Sequence, residues 1–512
     1  MNTKVEAQAE DGQLSGAALG FAAITLALAN FMVVLDTTIA NVSVPHMAGS
    51  LGISPSQGIW IITSYAVAEA VSVPLTGWLA GRFGGVKSFL YCMIGFTVFS
   101  VLCGLSSSFV MLIVARIGQG LFAGPIMPLS QTLLLRIFGR EKSGNAMGIW
   151  SVTTVIAPVL GPIFGGIISD NYSWSWIFFI NIPVAAFVIF GVVKRLGVIE
   201  TAKAKLSIDT VGLGLLIVFV GALQLVLDLG REHDWFGSSI IVVLSLISAV
   251  AFAVFVAWEM TEKNPVVDLR VFRHRGFAAA VGAQSFGYAV FFATLVLIPQ
   301  YLQTVLGYTA TSAGFATAGM GVGSFIMSPI VAKMTETMDS RRLACFGLLW
   351  LGFACVLRAF WTSGSTFWDF AIPQIVQGFG VPFFFIPLTV IALGSVEERE
   401  TASAAGLMNF VRTMSGAIGS SLAASWWYDK ATVARSEMIG RLNTQDAMGS
   451  LDGSGFTLEQ MRGSVERIVD GEAFAMSITQ LFVLAAIIFA VAATIIWLAP
   501  RPNRAIDPGA SH

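Results

Sequence analysis

LGFAAITLALANFMVVLDTTIANVSV, from Leu19 to Val44, holds one ionisable side chain, Asp36, among residues that are otherwise apolar, small or neutral polar. Only a membrane or a very deep core surrounds a carboxylate in this way. At bilayer depth such a group costs roughly 2.5–3.5 kcal/mol on insertion scales, and its presence there usually marks a substrate or proton pathway. Composition decides between the two environments. Of the 512 residues, 55% are apolar and only 12% charged, whereas about a quarter of a soluble domain is charged. The chain is therefore read as an all-α polytopic membrane protein.

Crossing about 30 Å of hydrocarbon takes an apolar helix of about 18 residues or more. Fourteen stretches qualify, near residues 17–44, 57–80, 87–106, 109–134, 144–168, 174–193, 209–228, 237–259, 277–303, 311–335, 342–362, 367–394, 402–428 and 476–499. An even count puts both ends of the chain on one side. That side, which holds the two tails and the loops after even-numbered spans, carries twenty of the 29 Lys and Arg residues, and the other side carries six. Arg116, Arg358 and Arg412 fall inside spans. Because short loops retain positive charge in the cytoplasm, both termini are expected to be cytoplasmic. The implied organisation is a tail (1–16), a six-helix bundle (17–195), two inserted spans with flanking loops (196–275), a second six-helix bundle (276–499) with an outer loop (429–475), and a second tail (500–512).

Residues 1–16 are polar and acidic and lack a basic n-region, so no cleaved signal peptide is expected. Cys92, Cys103, Cys345 and Cys355 all sit in apolar segments without Cys-x-x-Cys or Cys/His ligand spacing, which points to packing rather than metal. A net charge of −1 provides no basic surface for nucleic acid. No cofactor motif stands out.

An internal repeat organises the spans. At an offset of 258, Ile117-x-Gln119-Gly120 in span four matches Ile375-x-Gln377-Gly378 in span twelve, and Gly161 and Gly165 in span five fall beside Gly419 and Ala423 in span thirteen. Pro74 is echoed by Pro329 at an offset of 255. Spans one to six and nine to fourteen thus form two parallel repeats, with seven and eight inserted between them. The charges break this symmetry, since Arg116 corresponds to Gln374 and Thr154 to Arg412.

Span five carries Ala157, Gly161 and Gly165 at four-residue spacing, a smooth stripe that lets another backbone approach closely. Pro158 and Pro162 remove backbone donors one turn apart and are expected to bend the helix. Gly161-Pro162-x-x-Gly165-Gly166 resembles the antiporter motif of drug-efflux members of the major facilitator superfamily. Leu35-Asp36-Thr37-Thr38-Ile39-Ala40-Asn41-Val42-x-Val44-Pro45 is similar to the first-span motif of its fourteen-span drug:proton antiporters, and Arg116-x-x-Gln119-Gly120 to the superfamily's fourth-span motif. Trp174-x-Trp176-Ile-Phe-Phe-Ile-Asn181-Ile-Pro183 and Leu227-Asp228-x-Gly230-x3-Asp234-Trp235-Phe236 resemble the same subgroup, and the likeness runs from about residue 20 to about residue 500. One departure stands in the loop after span two. Gly81 occupies the acidic position of the pattern Gly-x3-Asp-Arg-x-Gly-Arg/Lys, so a gate at that loop must be weaker or differently built, with Arg82 and Lys87 left to pair with helix ends or anionic lipid.

The resemblance implies two six-helix bundles plus two extra spans, in which spans one and four line a central cavity. Arg116 is then the natural counter-ion of Asp36, and the pair is expected to exchange a proton for the substrate; a purely structural salt bridge is the competing reading. Glu69, buried in span two, is a second proton site or a group that recognises cationic drugs. Gly161, Pro162, Gly165, Gly166, Arg82 and Arg412 are candidates for gating. Arg358, near the outer end of its span, is expected to snorkel to the interface. Asp228 is expected to pair with Arg231, and Asp369 to cap its helix. Asn30, Tyr65, Gln119, Gln131, Gln284, Tyr288, Gln300, Gln377 and Asn409 are candidates for substrate contact, within a deformable pocket of Phe and Met.

The segment from Asp429 to Gly471 mixes charged residues with Met438, Leu442, Met448, Leu451, Phe456, Met461, Val465 and Ile468, a pattern that suggests short amphipathic helices against a partner or the bilayer. The resemblance implies a periplasmic membrane fusion adaptor, an outer-membrane channel beyond it and an inner-membrane location. An ATP-driven pump is disfavoured by the lack of a Gly-x4-Gly-Lys-Ser/Thr loop and of a soluble domain; Gly319-x-Gly321-x-Gly323 lies within a span. No nucleophile–base constellation suggests an enzyme. The expected function is proton-coupled export of hydrophobic or amphipathic drugs, and the rival is a same-fold proton-coupled transporter of one metabolite, siderophore or lipid.

Overall fold

The computed structural model describes residues 16–139, 142–201, 208–263, 265–441 and 458–501, and among these there is no strand. α1 (Gly16–Leu51) is the opening apolar stretch extended at both ends. At 1.5 Å per residue it is about 54 Å long, more than a bilayer core requires. α2 (Pro55–Ser72) begins with a capping box, in which Ser54 Oγ accepts from Gln57 N at 3.2 Å and Gln57 Oε1 accepts from Ser54 N at 3.0 Å. Pro74 then interrupts the ladder at a 3₁₀ turn, Val73–Leu75, before α3 (Thr76–Phe83).

The first bundle is completed by α4 (Gly85–Gly104), α5 (Phe109–Ala123), α6 (Ile126–Phe138), α7 (Ser143–Asn171), the one-turn α8 (Trp176–Phe179) and α9 (Asn181–Arg195). α10 (Thr210–Leu229) and α11 (Ser239–Thr261) form an inserted hairpin. The second bundle comprises α12 (Arg275–Thr304), α13 (Ala310–Thr337), α14 (Ser340–Arg358), α15 (Phe367–Gly394), α16 (Thr401–Arg441) and α17 (Leu458–Ile495). Among the described residues eleven helical segments are long and apolar enough to cross a membrane, α5 with α6 and α8 with α9 counting once each, and the bent α7 makes twelve. α2–α3 and α16 occupy the positions of spans two and thirteen, so the architecture is compatible with fourteen.

The repeat is visible in the packing. A Cβ at Gly120 of α5 would lie 2.4 Å from the carbonyl oxygen of Tyr65 in α2, and one at Gly378 of α15 would lie 2.4 Å from that of Met320 in α13. Tyr65 and Met320 are themselves one repeat apart, so the same backbone crossing is built twice. Gly161 of α7 against Thr38 of α1 is likewise matched by Gly419 of α16 against Ala289 of α12. Each bundle has its own apolar core. Phe89, Phe96, Leu134 and Trp150 anchor the first, and Phe277, Leu348, Phe384 and Phe482 the second, onto which α10 and α11 pack Leu216, Val220 and Phe255.

Part of the outer loop departs from expectation. Met438 lies on α16, which continues to Arg441, and Val465 and Ile468 lie on α17, which starts at Leu458, rather than on separate short helices. These extensions are tied together by Arg435, which reaches Glu466 at 2.7 Å and Asp470 at 2.5 Å. Residues 442–457 of that loop, both tails beyond 16 and 501, and their share of the expected amphipathic pattern lie outside the described residues.

Candidate functional site

α1 brings Asp36 to a place where two other helices, α5 and α9, turn polar side chains inward. Arg116 Nη1 donates to Asp36 Oδ2 at 2.9 Å, Gln119 Nε2 to Oδ1 at 3.0 Å, and Asn181 Nδ2 to Oδ1 at 2.7 Å. Arg116 and Gln119 stand three residues apart on α5 and therefore share a face; they also bond each other at 2.8 Å. The guanidinium is fixed further by Nε on the carbonyl of Ile61 at 3.2 Å and by the ring of Tyr65, 4.1 Å away. Both members of the ion pair are wholly buried. A carboxylate at this depth is tolerable only because charge and hydrogen bonds satisfy both of its oxygens.

Asn181 is the site residue that the candidate set omits. Its position in the Trp174–Pro183 motif was a signal, because a primary amide between Ile180 and Ile182 needs an interior partner. Its amide also donates to Ser100 Oγ at 3.0 Å, which ties α9 to α4.

A second polar group lies where the two bundles meet. Glu69 of α2, 9% exposed, is within electrostatic range of both Arg116 and Arg412 without pairing with either among the described residues. Arg412 of α16 crosses to the first bundle, with its guanidinium 4.9 Å from the ring of Trp150 and 5.1 Å from that of Tyr288, and Nη2 on the sulfur of Met127 at 3.5 Å. Asn409, one turn earlier, donates across the same seam to Gln131 Oε1 at 2.9 Å. Tyr288 belongs to an aromatic cluster with Phe291, Phe292, Phe384 and Phe385. The side-chain oxygens of Asn30, Gln284 and Asn409 and Nη1 of Arg412 are buried without a hydrogen-bond partner. Such atoms are expensive to leave unpaired in a closed interior.

Of the expected substrate residues, Tyr65, Gln119, Gln131, Tyr288 and Asn409 lie in or beside this centre, and Gln284, one turn before Tyr288 on α12, is buried too. Asn30 joins α1 to α7 through Thr153 and Thr154 at 2.8 and 2.9 Å. Gln300 and Gln377 lie elsewhere: Gln300 is half-buried and donates to the Tyr428 hydroxyl at 3.3 Å, while Gln377 accepts from Arg358. Arg358 itself does not snorkel. It is wholly buried, bonded to the side-chain oxygens of Gln374, at 3.0 Å, and of Gln377. The second bundle thus reaches its repeat-related amide pair with an arginine from the neighbouring helix. Asp228 accepts from Thr63 at 2.5 Å and Gln224 at 3.0 Å, while Arg231 lies over the ring of Tyr428, so the expected Asp228–Arg231 pair is replaced by two neutral donors. Asp369 caps α15 as expected.

α7 stands between the bundles. Its arms Ser143–Pro158 and Ile163–Ser169 meet at 42°, across the segment that contains Pro162, whose side chain lies outside the described ones. A Cβ on Gly161 would lie 2.1 Å from Thr38 Oγ1 and one on Gly165 2.9 Å from the Ile39 carbonyl, whereas at Gly166 it meets open space. The other face of α7 sets Gly144 and Gly148 against Ala332 of α13.

At the end of the bundle where α1 begins, a cavity of about 1270 Å³ opens between the halves, lined by Gly77, Gly81, Arg136, Arg275, Arg399 and Arg501 among others. The candidate substrate residues do not line it. Arg82 is exposed at the end of α3. The loop that lacks an acid at Gly81 recruits one from afar. Glu200 accepts from Val86 N at 3.0 Å and Lys87 N at 3.1 Å, and Thr201 Oγ1 accepts from Gly85 N at 2.7 Å, which caps α4 where Gly84 turns the chain at φ 92°.

The sequence profile described as Major Facilitator Superfamily matches residues 26–420. Over 495 residues the chain is 42% identical to the multidrug export protein EmrB of Escherichia coli strain K12, covering 96% of this chain and 97% of that one. It is 40% identical over 494 residues to the fatty acid resistance protein FarB of Neisseria gonorrhoeae, with 96% and 97% covered. Among solved structures, the human organic anion transporter MFSD10 superposes with a TM-score of 0.56 at 14% identity, over 93% of this chain and all of the other, a likeness of fold.

Proposed function

The chain belongs to the major facilitator superfamily, and from that premise we propose that it exports hydrophobic or amphipathic drugs in exchange for protons, by alternating access between its two bundles. The observation that carries this reading is the Asp36 carboxylate, held by donors from α5 and α9 in a wholly buried site. A proton on Asp36 removes the charge to which Arg116 is tied. It thereby changes the arrangement that α1, α5 and α9 prefer, and α1 packs directly on the interbundle helix α7. Coupling needs such a link between protonation and bundle position. Glu69, between the two guanidiniums, is a second proton site or a contact for cationic drugs. Gly161, Pro162, Gly165 and Gly166 act as the hinge surface of α7, and Arg82 and Arg412 act at the two closures.

One proton moving down about 100 mV supplies about 2.3 kcal/mol, enough for roughly a 50-fold gradient of a neutral drug. The 40–42% identity to full-length drug- and fatty-acid-resistance proteins supports the cargo class. The Lys/Arg asymmetry supports an inner-membrane protein with both termini in the cytoplasm. The paired extensions of α16 and α17 then project on the periplasmic side, where they are suited to meet a membrane fusion adaptor and, through it, an outer-membrane channel. The test is dye accumulation in inverted vesicles with and without a pH gradient, comparing wild type with Asp36→Asn. Gradient-driven transport lost in the variant, with normal membrane insertion, is expected; coupling retained by Asp36→Asn would sink the assignment.

A further inference from the structure

The three intramembrane arginines are satisfied to different degrees. Arg116 is engaged by a carboxylate and Arg358 by two amide oxygens of its own bundle. Arg412 has neither. All three keep at least one buried nitrogen without a partner, but among the described residues no oxygen accepts from Arg412, whose one hydrogen-bond partner is the thioether of Met127. It is also the arginine that reaches across the seam between bundles, so a movement that separates α16 from α6 and α7 uncovers it. Glu69 lies within electrostatic range of it but, among the described residues, forms no ion pair with it.

A guanidinium offers a planar fork of N–H donors that fits carboxylate and sulfonate oxygens, and burial of an anion is tolerable only where it meets such a group. The surroundings add a second preference. Arg412 is flanked by the rings of Trp150 and Tyr288, and Tyr288 stacks on Phe292 with centroids 5.2 Å apart at 21°. A flat ring attached to the anion would stack against these rings, and the unpaired side-chain oxygen of Asn409, one turn from Arg412, is placed to accept from its substituents.

We infer that Arg412 is a specificity-determining residue that recognises the anionic group of acidic aromatic amphiphiles, with Trp150 and Tyr288 as the walls for their rings. This rests on the reading of the bundle seam as the place where cargo binds. The probe pair is a radiolabelled naphthalene sulfonate and its isosteric, uncharged sulfonamide, each measured by equilibrium binding to the full-length protein in nanodiscs without a proton gradient. Wild type is expected to favour the sulfonate over the sulfonamide. Arg412→Gln should reduce that preference at least tenfold, and Arg412→Lys, which keeps the charge but not the planar fork, should reduce it less. A preference that falls equally in both variants, or in neither, overturns the inference. Because binding is read without a gradient, a failure of proton-driven transport in vesicles would count against the export reading alone.

Discussion

Oδ2 of Asp36 lies 2.9 Å from Nη1 of Arg116, and neither side chain has any exposure. Breaking such a pair from one side leaves an uncompensated buried charge, at a cost of about 3–5 kcal/mol, whereas neutral replacement of both partners is often tolerated. Arg116→Gln alone is therefore expected to lower the detergent-solubilised melting temperature sharply. Adding Asp36→Asn to it should restore most of the loss while leaving transport uncoupled. Thermal unfolding of the two variants checks this; equal destabilisation of single and double variants would show that the pair contributes nothing through its charge.

The second-bundle arginine leads to a different prediction. Arg358 donates to the side-chain oxygens of Gln374 and Gln377. Removing one acceptor from a buried donor typically costs about 1–3 kcal/mol. Gln377→Leu should therefore lower stability by that order, while the selectivity of transport among cargoes stays as in wild type. Parallel melting curves and dye competition separate the two. A changed cargo spectrum with unchanged stability would return Gln377 to the substrate site.

The steric map of α7 orders three glycines. A methyl group at Gly161 would collide with Thr38 at 2.1 Å, one at Gly165 would press on the Ile39 backbone at 2.9 Å, and one at Gly166 meets nothing within 4 Å. Overpacking of this kind costs about 1–3 kcal/mol and shifts backbones. Transport rates should fall most in Gly161→Ala, less in Gly165→Ala and least in Gly166→Ala. Equal losses at all three positions would mean that the motif acts other than through the contact with α1.

What could be read beforehand and what could not divide along one physical line. Hydropathy locates Asp36 and Arg116 at membrane depth, and the resemblance to the superfamily sets spans one and four on a common cavity, so the two are legible as a pair from sequence. The azimuth of a side chain around its helix is set by packing against helices far away in sequence. That is why Arg358, assigned to the interface from its place near a span end, turns inward to Gln374 and Gln377. It is also why Asp228 takes Thr63 rather than its near neighbour Arg231. Glu200 as the cap of α4 was hidden for the same reason, since the two are more than a hundred residues apart.

Glu200 offers its own test. Two backbone N–H groups at the start of α4 end on its carboxylate, and loss of a helix cap costs about 0.5–2 kcal/mol. Glu200→Ala should lower the melting temperature modestly and raise hydrogen exchange at Val86 and Lys87 specifically. Placing an acid at the local position, Gly81→Asp, should not protect those amides, because Gly81 stands before the turn rather than beyond it. Undiminished protection in Glu200→Ala would remove the cap from the account.

Closure between bundles can be trapped where α3 meets the start of α16. A Cβ on Gly77 would lie 3.0 Å from that of Ser403, and both residues line the cavity between the halves. Disulfides favour Cβ separations of about 3.5–4.5 Å, so a small relaxation brings Gly77→Cys and Ser403→Cys into bonding range. Of the native cysteines, Cys92, Cys103 and Cys355 are buried and Cys345 is partly so, which keeps background cross-linking low. If transport requires this contact to open in every cycle, mild oxidation of the double variant should arrest dye movement and a thiol reductant should restore it, with each single variant unaffected by either reagent. A cross-linked protein that still transports at the reduced rate's full value would show that the bundles separate elsewhere, and the cavity beside Gly77 would then be a permanent feature rather than one stage of alternating access.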